Sequence, residues 1–160
     1  MPSDGPVVAV SIRFPATAAS VRATLLRIFG PPAALPLNAE GAATAQLVLA
    51  EVLNNIVEHA YRDLAGDILL TCRLAEGGGL RVRVEDRGNP LPAGAALPCL
   101  PAPLAEGLSE GGYGWFLIRT LTRDLAYQRR DGRNVLTFHV LQEPGYAGQG
   151  TGCTFSAQAP

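Results

Sequence analysis

Lysine is absent from this chain: all 13 basic residues are arginine. That excludes a lysine nucleophile, a Schiff base and a lysine-anchored phosphate loop from the outset. Cysteine is scarce. Cys72, Cys99 and Cys153 form neither a CxxC nor a Cys/His pair, so no disulfide scaffold or zinc site is expected. They read as small hydrophobes of a reducing compartment. Charge is thin as well, at 17% of residues against ~25% in an average domain. With 14 acids the net charge is −1, so a large basic footprint for duplex nucleic acid is not expected. The start, MPSDGPVVAV, lacks a charged head followed by a long apolar stretch, and no segment reads as a membrane span. A cytoplasmic protein with no membrane partner is expected.

What is present suffices for a core. Hydrophobic residues make up 48% of the 160 residues, with a mean hydropathy of +0.16, which excludes wholesale disorder and suits one domain. Alternation predicts a strand over 7–14, and Val21, Leu25, Ile28 and Phe29 recur at helical spacing up to the Gly30-Pro31-Pro32 stop. Asn38 can cap a longer helix running to about position 62. Two alternating runs around Gly77-Gly78-Gly79 predict an antiparallel hairpin. Residues 89–112 dissolve into proline, alanine and glycine, a length typical of a functional lid. A helix follows over 112–124, then a hairpin of 125–128 and 135–141 around Asp131-Gly132. Residues 1–142 are expected to form a single domain and 143–160 a loose tail, with a possible short edge strand near Thr154. The layout predicts an α/β (α+β) two-layer sandwich: a mixed, mostly antiparallel sheet with helices on one face.

Three segments carry chemistry. In the long helix, Leu49, Val52, Leu53, Ile56 and Ala60 share the face to be buried, while Glu51, Asn55 and His59 form a row along its flank. A carboxylate one turn from a carboxamide supplies oxygen ligands of the kind Mg²⁺ accepts alongside waters and phosphates; a hydrated helix face explains the same row. In VEDRGNP, parity turns Asp86 to the same side as Leu80, Val82 and Val84. A carboxylate there needs a donor, which a purine amine could be, and Gly88 just beyond permits close backbone approach; an aspartate opening a turn is the plainer alternative. In EGGYGWFLIRTL, Gly111, Gly112 and Gly114 open a helix whose free amides favour an anion, though a hinge fits equally. Tyr113 and Trp115 read as packing residues rather than stacking platforms.

Taken together, in this order and spacing, the segments resemble the GHKL (Bergerat-fold) ATPase superfamily, and within it the anti-sigma-factor serine kinases of the RsbW type. The resemblance spans residues 7–141. It rests on Glu51, Asn55, His59 and Tyr61 of an E-x-x-x-N-x-x-x-H-x-Y helix, and on Asp86, Gly88 and Pro90 of a D-x-G-x-P box. Gly111, Gly112, Gly114, Leu117 and Ile118 match a GGxGxxLI box, and Asn134, Leu136 and Thr137 match a closing N-x-L-T strand. The resemblance implies that ATP binds with Mg²⁺ on Asn55, and that Glu51 orients or deprotonates the attacking hydroxyl. It also implies that Asp86 accepts from the adenine amine with Thr137 nearby through a water, that Gly112 and Gly114 let the lid close over the triphosphate, and that Gly88 and Gly111 belong to the same nucleotide-binding set. His59 would be structural.

The implied activity is an ATP-dependent serine/threonine kinase and anti-sigma factor that phosphorylates a STAS-type antagonist and sequesters a sigma factor, as a homodimer without direct nucleic-acid contact. A non-catalytic ATP-gated module and a detached histidine-kinase-like catalytic domain are the alternatives. One departure stands out. Glu110 precedes the second glycine box, and no arginine lies between Arg87 and Arg119, so the lid brings no cation to the γ-phosphate.

Overall fold

The computed structural model describes residues 8–91, 112–142 and 154–157. Chain order is β1 (Ala9–Pro15), α1 (Ala18–Phe29), α2 (Ala39–Asn55) running into a π-helical turn (Ile56–Ala60), β2 (Asp67–Leu74), β3 (Leu80–Asp86), α3 (Gly112–Leu121), β4 (Thr122–Arg130), β5 (Arg133–Val140) and β6 (Thr154–Ala157). The strands form one sheet in the order β1-β2-β3-β5-β4-β6. Every pairing is antiparallel except β4 with β6, which is parallel. The mixed, mostly antiparallel sheet and its helical layer are those expected from the alternation pattern.

Local chemistry sets the helix starts. Thr17 accepts the Ser20 amide at 3.2 Å to open α1, and Asn38 accepts the Gly41 amide at 2.7 Å to open α2. Each satisfies an amide that the helix cannot. From α1, Val21, Leu25 and Ile28 are buried; from α2, Val48, Leu49, Val52 and Leu53. They pack with the inward strand residues, among them Ile68, Leu70, Val82, Val84, Leu136 and Phe138, into one core cluster. Parity leaves the alternate strand positions on an outer face away from the helices.

Two boundaries differ from expectation. The long helix is regular only to Asn55; the Tyr61 amide then reaches back five residues to the Ile56 carbonyl, at 3.2 Å. Helix α3 stops at Leu121 rather than near 124, because Thr122 already pairs with Val140 and its hydroxyl bonds the Ile118 carbonyl at 2.6 Å. A register shift between Arg123 and Ala126, with Asp124 at φ 53°, absorbs the extra residue so that Leu125 and Tyr127 still point inward. The short edge strand expected near Thr154 is present: Thr154–Ala157 joins the sheet beside β4. Leu53 is fully buried in the layer between helix and sheet. Leu53→Ala is therefore expected to cost about 2–5 kcal/mol, read as a lower urea midpoint at unchanged slope.

Candidate functional site

A cleft opens between the C-terminal end of α2, the start of α3 and the ends of β3, β4 and β5. Ile56, Ala60, Leu91, Trp115 and Leu136 give it apolar walls, while Asn55, His59, Asp86, Asn89 and Asn134 supply polar atoms. Trp115, expected to serve packing alone, packs against the core and also lines the cleft.

Asp86 lies at the floor. It closes β3 with only 6% of its surface exposed, and its Oδ1 accepts from the Gly88 amide and from Asn134 Nδ2, both at 2.8 Å. Burial pushes its carboxyl above the ordinary carboxylate range, against the opposing pull of those two bonds and of Arg129. Its second oxygen, Oδ2, has no hydrogen-bond donor among the described residues. The carboxylate therefore brings one free acceptor to a cleft that is otherwise largely apolar.

Asn134 matches the closing-strand motif in the sequence, which assigns it no role in the site. It stands directly opposite Asp86 in the β3–β5 register and is 4% exposed. Its Oδ1 accepts from the Tyr127 hydroxyl at 2.7 Å and Arg129 Nη1 at 2.6 Å. Its Nδ2 donates to Asp86 and to the Gly88 and Asn89 carbonyls, at 3.4 and 3.1 Å. Arginine can only donate and carbonyls can only accept, so the amide has one possible orientation. Arg129 also donates to the Gly88 carbonyl at 3.1 Å, and Tyr127 accepts the Leu91 amide at 3.2 Å. Thr137, by contrast, is not brought here. Three residues along β5 from Asn134, it has the opposite parity and lies on the outer face, paired with Arg83 and Ala126.

The segment after Asp86 is held against the π-helical turn. A Cβ at Gly88 would stand 2.6 Å from the Ala60 carbonyl oxygen, so only glycine fits; the Asn89 amide bonds that same oxygen at 2.9 Å. Tyr61, which ends the turn, accepts the Arg87 amide at 2.9 Å and donates to the Asp67 carbonyl at 3.1 Å. The tyrosine of the helix motif is thus a clamp between β2 and the loop that follows β3. His59, expected to be structural, is exposed at the cleft margin, and no hydrogen bond ties it to the fold among the described residues.

A second cluster sits one helical turn back. Gly114 of α3 lies over α2 so closely that a Cβ there would stand 2.7 Å from Glu51 Oε2 and 3.4 Å from Asn55 Nδ2. Both side chains are half-buried, and Asn55 Nδ2 is buried with no hydrogen-bond partner among the described residues. An orphaned amide beside a carboxylate is costly unless a ligand completes it. Glu51 is not among the residues lining the cleft itself. No group of three His, Cys, Asp or Glu that could hold a metal gathers among the described residues. The unpartnered Nδ2 calls for an acceptor such as a phosphate oxygen, and the Asn55 amide oxygen and Glu51 carboxylate beside it are of the type Mg²⁺ takes alongside waters and phosphates. Gly112 begins α3; Gly111 and most of the expected lid lie outside the described residues.

Residues 14–140 match the model of the histidine kinase-like ATPase domain. The chain belongs to that family. This bears out the resemblance drawn from the motifs. Similar proteins include three named serine-protein kinase RsbW, from Bacillus cereus (strain AH820), Bacillus anthracis (strain CDC 684 / NRRL 3495) and Bacillus thuringiensis (strain Al Hakam). Each is 28% identical over 138 residues, 83% of this chain and 85% of the relative. Among solved structures, the histidine kinase domain from the Erythrobacter litoralis EL346 blue-light activated histidine kinase superposes with a TM-score of 0.41 at 21% identity. That match covers 78% of this chain, which spans 60% of the other.

Two outcomes are expected for this ATPase-domain cleft. Asn134→Ala removes the partner of Asp86, Tyr127 and Arg129 together and lowers stability by about 1–3 kcal/mol, read by thermal melting. Asp86 supplies the second. Its folded-state pKa is raised, so its contribution to stability is full below the ordinary carboxylate range and is lost as pH climbs through the raised value. The melting temperature of Asp86→Asn, relative to the unaltered protein, should therefore rise between about pH 4 and about pH 7. A difference that shrank over that interval would mean the ionised form is net stabilised.

Proposed function

We propose that this chain binds ATP with Mg²⁺ in the cleft and transfers the γ-phosphoryl group to a serine or threonine of a partner protein. The observation that carries the reading is the free oxygen of a buried carboxylate, Asp86, at the floor of an apolar slot. The adenine 6-amino group is a donor at the position where guanine carries an acceptor. A carboxylate already engaged on one oxygen selects the first and repels the second. Ile56, Leu91, Trp115 and Leu136 would cover the faces of the base.

In this reading the phosphates lie toward the start of α3, where Gly112 and Gly114 leave room for close approach and the helix amides and dipole favour negative charge; Gly111 would extend that stretch. Asn55 would hold the Mg²⁺, which when bound neutralises charge on the triphosphate. Glu51 would orient the acceptor hydroxyl and take its proton as the phosphoryl group moves. The transition state is loose, so position and electrostatics do the catalytic work. Two things support the protein acceptor: the naming of the relatives as serine-protein kinases, and the spacing of Glu51 one turn from Asn55. We extend the proposal to the partners of that kinase type: a STAS-type antagonist as substrate, a sigma factor sequestered by the unphosphorylated system, and a homodimer as the working form.

A second reading, a non-catalytic ATP-gated module, is favoured by the absence of arginine between Arg87 and Arg119, which removes one source of charge stabilisation. The test is a transfer assay with labelled ATP and a candidate antagonist, with nucleotide affinity measured in parallel. The unaltered protein should leave acid-stable phosphate on the partner. Glu51→Gln should lower transfer roughly 10²–10⁴-fold with affinity retained. Tight nucleotide binding without transfer by the unaltered protein selects the gated module. Acid-labile phosphate on the partner selects a histidine acceptor instead.

A further inference from the structure

The face of the sheet turned away from the helices has a charge distribution that the nucleotide cleft does not use. Strand register sets Arg73 of β2 directly opposite Arg81 of β3, Arg81 opposite His139 of β5, and His139 opposite Arg123 of β4. All four occupy outward positions, alternating with the buried Cys72, Leu80, Val82, Val140 and Thr122. This makes one row across four adjacent strands, about 14 Å wide at ~4.8 Å per strand spacing. Arg83 extends the patch two residues along β3.

Like charges directly opposite one another on a sheet are destabilising, and the ordinary remedy is an interleaved acid. That remedy is visible on this same face, where Glu85 bridges Arg83 at 2.9 Å and Arg133 at 3.3 Å. The row itself has none. Arg73, Arg81 and Arg123 make no ion pair among the described residues, and Glu76 in the adjoining turn forms none with them. His139 donates only to the Gly78 carbonyl, at 3.3 Å. In a chain of net charge −1, three arginines in unrelieved register amount to a local concentration of positive charge, all of it in the side chain best shaped to grip carboxylates with two bonds.

We propose that this outer sheet face, centred on Arg73, Arg81, His139 and Arg123, is a docking surface for a carboxylate-rich protein segment. The chemistry of the face selects that partner. No outward position of β1–β5 holds Phe, Tyr or Trp, so there is no platform on which unpaired bases could stack. Among the described residues, the large exposed hydrophobics Val8, Leu26, Leu47, Leu64 and Phe116 occupy none of these positions, so this face offers no apolar anchor for a bilayer. An acidic segment lying across the strands can offer carboxylates to each arginine of the row.

The proposal is independent of the cleft, which lies on the other side of the sheet, so the two fail separately. The experiment measures binding of a fluorescent poly-glutamate peptide to the full chain at low and moderate salt, beside a DNA duplex and phosphatidylserine vesicles. The comparison protein combines Arg73→Gln, Arg81→Gln and Arg123→Gln. The expected result is salt-sensitive peptide binding that weakens about tenfold in the triple variant, with nucleotide affinity unchanged and a melting temperature equal or raised as repulsion is relieved. The proposal is overturned by absence of peptide binding, equal binding by the variant, or tighter binding of the duplex or vesicles. A lower melting temperature in the variant also overturns it, because the row would then be structural.

Discussion

The candidate site depends on one buried contact, the Asn134 amide on the Asp86 carboxylate. A carboxylate with 6% of its surface exposed could not persist beside Leu136 and Ile56 without donors. Asn134 provides one, and is itself held by Tyr127 and Arg129. The same amide grips the Gly88 and Asn89 carbonyls, so the loop beyond β3, the carboxylate and the ends of β4 and β5 are set by a single side chain. Satisfying Asp86 through one oxygen is what leaves the other available. Because every member of the network has its partner, the floor is preorganised rather than assembled when a ligand arrives.

The second constraint is close approach of backbones. The site needs α2, the loop after β3 and the start of α3 to converge, and two glycines allow it: Gly88 against Ala60, and Gly114 against Glu51 and Asn55. The Ala60 carbonyl, unpaired because the π-helical turn Ile56–Ala60 ends there, receives the Asn89 amide. Such turns recur where a helix must present a functional edge. Here the irregularity falls between Asn55 and Tyr61, two residues of one motif with different duties. One is an orphaned amide awaiting a ligand and the other a clamp on the fold.

Much of this is legible in the sequence because it follows from periodicity. The 3.6-residue repeat identifies the buried face of α2, and with it the flank that carries Glu51 and Asn55. The strict alternation of 80–85 is enough by itself to turn Asp86 inward. The same parity argument applied to 134–140 places Asn134 inward with Leu136 and Phe138, and Thr137 outward, so the signal for the role of Asn134 is present. What parity cannot supply is register: that Asp86 faces Asn134, or that Arg73, Arg81, His139 and Arg123 fall in one row, depends on pairings between strands distant in sequence. The π-helical turn carries no mark in IVEHA. It coincides with the close fit of Gly88 against Ala60, which is a tertiary fact.

The sheet thus works as a divider, with a satisfied polar floor under an apolar slot on one side and an unrelieved arginine row on the other. Only the first bears on the nucleotide, and its central claim is that the free oxygen of Asp86 reads an adenine amine. The most direct measurement is a crystal structure of the protein with ADP and Mg²⁺. The account predicts the purine in the slot beside Trp115, its amino group on Asp86 Oδ2, and the phosphates running toward Asn55 and the start of α3. A nucleotide bound elsewhere, or a purine in the slot with its amine turned away from Asp86, would contradict it.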